Sequence, residues 1–135
     1  MSFMESVRAW LRTCPLIDRK NRFNVGYLGI GTDYSLSMAG STHKQDILGY
    51  AQDHYSLLFQ ARLPYGAAIE ANLTAAELFE ELTAWLRAQE KAHSYPQLQG
   101  CSVTALSVAN SGMILRADSN TADYQLQIQI DTEEV

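Results

Sequence analysis

Three histidines and two cysteines are the side chains best suited to metal binding, proton transfer or nucleophilic attack in this 135-residue chain. They do not assemble into a known pattern. His43, His54 and His93 share no ligand spacing with one another or with Cys14 and Cys101, so no zinc-type site is expected. No Ser or Cys stands in a nucleophile motif such as G-x-S-x-G. Glu80-Glu81 are adjacent carboxylates on helical text, where neighbours point about 100° apart and cannot converge on one substrate. Gly26, Gly29 and Gly31 are spaced G-x-x-G-x-G. Extended text follows them, whereas a phosphate loop opens a helix whose N-terminus holds the anion. These glycines read as a turn between strands. No catalytic, metal or cofactor site is expected.

Charge narrows the partners. The net charge of −5 opposes a protein that grips phosphates through a basic footprint. The cationic stretch Asp18-Arg19-Lys20-Asn21-Arg22 reads as a solvated connector, so no specific nucleic-acid recognition is expected. No signal-peptide pattern opens the chain and no apolar run approaches the ~20 residues of a membrane span. Two cysteines without a framework pattern read as reduced thiols in a cytosolic setting. The expectation is a soluble protein without membrane contact.

The elements behind these residues are read from periodicity. Phe3, Met4, Val7, Trp10, Leu11 and Cys14 make one helical face, ended by Pro15. Extended text follows in Phe23, Val25 and Tyr27, then in Tyr34, Leu36 and Met38. Ala39 to Lys44 reads as a loop, Ile47 to Ala51 as a short strand, Gln52-Asp53 as a turn and His54 to Leu63 as a longer strand. Thr74 and Glu77 form a T-x-x-E capping box opening a helix with the stripe Leu78, Phe79, Leu82, Trp85 and Leu86. Three strands close the chain: Val103 to Val108, Met113 to Ala117 after a turn at Asn110-Ser111-Gly112, and Tyr124 to Ile130. The reading is a single α+β domain over 1–135, order α-β-β-β-β-α-β-β-β, with two helices on a mainly antiparallel sheet. Its core should join Trp10, Leu11, Phe79, Leu82 and Leu86 to Leu57, Phe59, Leu126 and Ile128.

The last strand stands out. Tyr124, Leu126, Ile128 and Ile130 face one way, and Gln125, Gln127 and Gln129 face the other. A solvent-facing strand usually carries Lys or Glu, which discourages pairing with other chains. An uncharged amide row keeps solubility while offering hydrogen bonds, which makes Gln125, Gln127 and Gln129 a candidate interface.

Ser6-Val7-Arg8-Ala9-Trp10-Leu11 with Cys14-Pro15-Leu16, then Asn24-Val25-x-Tyr27-Leu28-Gly29, resemble a family of small tailed-phage and prophage proteins. The likeness continues through Tyr65-Gly66, Asn72-Leu73, Trp85-Leu86, Pro96-Gln97-Leu98 and Thr121-Ala122-Asp123-Tyr124-Gln125-Leu126-Gln127. Members are usually called minor capsid proteins of siphovirus-like phages and resemble tail terminators. The resemblance implies an α/β sandwich that closes a hexameric ring on the finished tail tube, halting its growth and meeting the head connector. Partners would be further copies of itself, the major tail tube protein and the head–tail connector. The setting would be the bacterial host cytoplasm during assembly, then the virion neck. Another neck component, a connector or completion protein, is the nearest rival reading. Sequences of this kind have also been labelled chloramphenicol resistance enzymes. That chemistry needs His-x-x-x-Asp-Gly with the histidine as base; the chain offers His43-Lys44-Gln45-Asp46 followed by Ile47, one residue short and without the glycine.

Overall fold

The computed structural model describes residues 2–17, 22–26, 33–66, 69–118 and 120–134. The connector Asp18 to Asn21 and most of the glycine turn, Tyr27 to Gly31, lie outside the described residues.

Helix α1, Phe3–Leu11, starts at Ser2, whose side chain accepts from the Glu5 amide at 3.2 Å. That satisfies one of the free N–H groups of a helix start. Cys14 is buried as its spacing predicts, but in a tightened turn after the helix proper, with the Cys14 amide donating to Leu11 O. Helix α2, Ile69–Ala92, begins five residues before Thr74. Thr74 and Glu77 are therefore interior residues and not a capping box. The chain entering α2 is held by Asn72, which bonds the Gly66 backbone in both directions.

Five strands form one sheet in the order β1-β2-β3-β5-β4. Strand β1, Phe23–Val25, runs parallel to β2, Tyr34–Gln45. Strands β3, Ala51–Pro64, β4, Cys101–Ala117, and β5, Thr121–Glu134, complete the sheet with antiparallel pairings. This is the expected α+β arrangement, with two helices and a mainly antiparallel sheet.

Local boundaries differ from the sequence reading in three places. Ala39 to Lys44 is strand, not loop: it pairs with Gln52 to Ser56 of β3. The turn is at Asp46–Tyr50 instead of Gln52-Asp53, because the Asp46 carboxylate accepts from the amides of Leu48 and Tyr50, both at 2.9 Å. The supposed strand Ile47 to Ala51 is thus mostly this turn. Asn110-Ser111-Gly112 does not reverse the chain. Asn110 and Gly112 take positive φ (52° and 80°) to make a bulge, and β4 resumes the same direction at Met113. Order α-β-β-β-α-β-β results from these mergers.

The predicted core forms. Trp10, Leu11, Phe79, Leu82, Leu86, Leu57, Phe59, Leu126 and Ile128 are all buried in one cluster. Both helices lie on the sheet face of Tyr55, Phe59 and Tyr124: Phe3 stacks on Tyr55, and Phe79 contacts Phe59 and Tyr124. Trp10 packs on Trp85 at 5.2 Å and donates its indole N–H to Ser94 O, joining α1 to the end of α2.

Candidate functional site

Strand alternation puts the remaining polar side chains of β3 and β5 on the opposite face, away from both helices. Register pairs His54 with Asp131, Ser56 with Gln129, Leu58 with Gln127, Gln60 with Gln125 and Arg62 with Asp123. Strand β5 is interior, so its Gln row is flanked on both sides.

The three glutamines have different surroundings. Gln125 is only 7% exposed, and its carbonyl faces the Gln60 amide at 3.4 Å. Gln127 is half-buried and accepts from Asn110 of the β4 bulge at 3.2 Å. Gln129 accepts from Ser56 and from His54 Nε2, each at 2.7 Å. The amides are thus held laterally by their neighbours, which pre-orients the face and leaves few side chains to be ordered on contact. In the row of Gln125 and Gln60 lie Ser35 and Asn24, whose Oγ and Nδ2 are buried with no hydrogen-bond partner among the described residues.

Two charge pairs bracket the amides. Arg62 makes a two-pronged contact with Asp123, Nε to Oδ1 at 2.7 Å and Nη2 to Oδ2 at 3.1 Å, and both side chains are largely covered. Asp123 raises the guanidinium pKa further above its already high value. His54 Nδ1 lies 2.5 Å from Asp131 Oδ1. With Gln129 on Nε2, both ring nitrogens are engaged by oxygen acceptors, which favours the protonated ring. The Asp131 hydrogen bond raises the His54 pKa above its ordinary value.

His54 and Asp131 border an open cleft of about 460 Å³, with Lys44, Gln52, Thr104 and Glu133 around it. A serine hydrolase would need Ser56 to donate to His54. Ser56 donates to Gln129 instead, and His54 has no free nitrogen to act as base. Among the described residues no group of three or more His, Cys, Asp or Glu is placed to hold a metal. His43 pairs with Asp53 at 2.5 Å further along the same hairpin, and His93 caps α2. Cys14 and Cys101 are free thiols, and burial raises the pKa of both, which opposes thiolate chemistry.

The sequence reading missed a second surface. Every residue from Ala39 to Tyr50 is exposed, so the outer half of β2 is an uncovered sheet edge that runs into the Asp46–Tyr50 turn. Its tip shows Ile47, Leu48 and Tyr50 to solvent, at 93, 81 and 56% exposure. The Asp46 bonds and a Gln45 contact to Gly49 O hold this turn. The apolar run Ile47-Leu48 was the available signal; it resembled a short strand.

No family model matches the chain, and no curated protein matches it. Among solved structures, one chain aligns with 98% of this chain and 90% of its own length, at 17% identity and a TM-score of 0.45. Fold and site define a class no narrower than an α+β domain with one sheet face covered by the helices and the other polar. No described helix is long and apolar enough to cross a membrane.

Proposed function

We propose that the chain is a structural assembly protein of a phage or prophage tail, a terminator-like ring subunit that caps the tail tube and joins it to the head connector. The observation that carries this reading is the polar sheet face, where the part-exposed Gln127 and Gln129 and the buried Gln125 lie among side chains that already bond one another. Such a face suits a stoichiometric contact with protein better than turnover of a small molecule. The sequence resemblance supplies the particular assembly, and the exposed Ile47–Tyr50 turn supplies a second surface for it.

A ring would need two unlike patches on each subunit. The polar Gln face and the exposed Ile47–Tyr50 turn are two unlike surfaces on one subunit. A connector or completion protein of the same neck would use similar surfaces. A small enzyme would need a free base near an activated nucleophile, and the engaged state of His54 and Ser56 favours the structural readings.

The deciding experiment is deletion of the gene in a phage that carries it, with tails examined by electron microscopy. A terminator predicts overlong, headless tails. Finished tails of normal length lacking heads favour a connector, and normal particles overturn both.

A further inference from the structure

Four strands bring polar side chains into one row of the polar sheet face. Asn24 of β1 stands beside Ser35 of β2, Ser35 beside Gln60 of β3, and Gln60 beside Gln125 of β5. The row is largely shut off from bulk solvent, with Ser35 0% and Gln125 7% exposed. Its pairing is incomplete. Gln60 Nε2 meets Gln125 Oε1 at 3.4 Å, a long bond, while Ser35 Oγ and Asn24 Nδ2 are buried and neither bonds the other or any other group. Buried donors and acceptors are nearly always met by protein or by ordered water, so two orphaned atoms at one register position call for a partner.

Spacing decides what that partner is. Adjacent strands lie about 4.8 Å apart, and paired side chains leave them at that separation. A direct N–H···O bond spans about 2.9 Å, whereas one water making two such bonds at a tetrahedral angle spans about 4.7 Å. Serine is also the shortest side chain of the row, standing between the longer Asn24 and Gln60. Charge excludes an ion. The Asn24 N–H donors oppose a cation, and Asp33, two residues before Ser35 and 6% exposed, opposes an anion.

We propose that one buried water bridges Asn24 and Ser35 and fastens β1 to the sheet. It accepts from Asn24 Nδ2 and from the Ser35 hydroxyl, and donates to the carbonyl of Gln60, whose Nε2 is turned the other way, toward Gln125. Three bonds are what a buried water typically makes. The strand it fastens is short. Strand β1 has three residues, and around it the Tyr34 amide donates to Arg22 O at 2.8 Å and the Gly26 amide to Leu36 O at 2.9 Å. On the helix side, Arg8 Nη1 donates to Phe23 O at 3.0 Å. The water adds a tie at the middle of β1 on the opposite face.

A high-resolution crystal structure of the full chain, with oxygen-17 relaxation dispersion in solution, tests this. The expected result is density for one water within hydrogen-bond distance of both Asn24 Nδ2 and Ser35 Oγ. The number of long-lived waters should fall by one in Asn24→Leu with Ser35→Ala, which removes both polar atoms. Hydrogen exchange of the Gly26 and Tyr34 amides should then rise about tenfold, as expected for one net hydrogen bond lost beside them. An Asn24 amide bonded directly to Ser35, or no water at either atom, overturns the proposal, and the wild-type crystal decides this even where the double variant does not fold. An unchanged water count in a folded double variant overturns it as well. A water that is lost without faster exchange of those two amides overturns its fastening of β1.

Discussion

His54 and Asp131 face each other across the β3–β5 pair, Nδ1 to Oδ1 at 2.5 Å, although they are 77 residues apart in the chain. The bond does two things: it ties the sheet's central strand β3 to β5, and it fixes His54 so that its second nitrogen meets Gln129. The polar face is thus braced near the Asp46–Tyr50 end of the sheet.

This pair makes stability pH-dependent with a definite sign. Folding raises the His54 pKa, chiefly through Asp131. The folded state then binds the proton more tightly than the unfolded chain, and the contribution is fully present below the unfolded value of about 6.5. It fades as pH rises through the higher folded value. Wild type should exceed His54→Gln in Tm by more at pH 6 than at pH 9. An equal difference at both would remove the bond from the folded state's energetics. His54 should also titrate above 6.5 by NMR.

Arg62 and Asp123 lie deeper, at 15% and 13% side-chain exposure. Removing one partner leaves a largely covered charge, which costs about 3 kcal/mol, whereas apolar replacement of both costs less. Arg62→Met alone, which strands the Asp123 carboxylate, should therefore destabilise more than Arg62→Met with Asp123→Leu together. Urea unfolding of the single and double variants checks the order, and additive losses would count against a coupled pair.

At the heart of the core, Phe79 is 1% exposed and touches Phe59 and Tyr124. Phe79→Ala should cost about 3–5 kcal/mol through lost burial and the cavity left behind. An unchanged thermal midpoint would contradict the packing of α2 on the sheet.

The end of α2 invites a stabilising change. His93 takes a left-handed φ of 55° while the Ser94 amide donates to Gln89 O and the His93 amide to Glu90 O. That is a Schellman cap, whose left-handed position favours glycine. His93→Gly should add up to about 1 kcal/mol by relieving the left-handed strain. The gain is reduced by the lost contact with Tyr95, whose ring lies 5.8 Å away. A drop in Tm would mean that the ring contact outweighs the backbone relief.

The parts of the fold legible in the sequence are those with a strong period. The stripe from Leu78 to Leu86 and the alternation from Tyr124 to Ile130 both mark core faces, because burial selects apolar residues at the spacing of the element. The outer half of β2 was not legible. Ala39 to Lys44 is small and polar, and what makes it strand is pairing with Gln52 to Ser56 rather than any face of its own. Asn110-Ser111-Gly112 carries the residues of a hairpin turn, yet pairing with β5 on both sides makes it a bulge. Thr74 and Glu77 have capping-box spacing inside a helix that had already begun. Of the candidate site, the Gln row was legible from alternation; its anchoring by His54, Ser56 and Asn110 depends on register between distant strands.

The last prediction tests the Gln face in assembly, and the surroundings decide which substitution is informative. Gln125→Glu would place a carboxylate at a 7% exposed position beside Gln60, so it would weaken the fold itself. Gln129→Glu would meet the His54 ring, whose protonated form a second carboxylate stabilises, and so gain a favourable partner. Gln127 is the clean probe: it is half-buried, and Asn110 is the partner its carbonyl accepts from. Gln127→Glu keeps that acceptor and adds one negative charge, so Tm should change little. Buried against another subunit without a counter-charge, the same carboxylate costs several kcal/mol. A phage carrying Gln127→Glu should then make overlong or headless tails although the protein folds, and Gln127→Asn should assemble normally. Normal tails from a folded Gln127→Glu protein would take this face out of the interface.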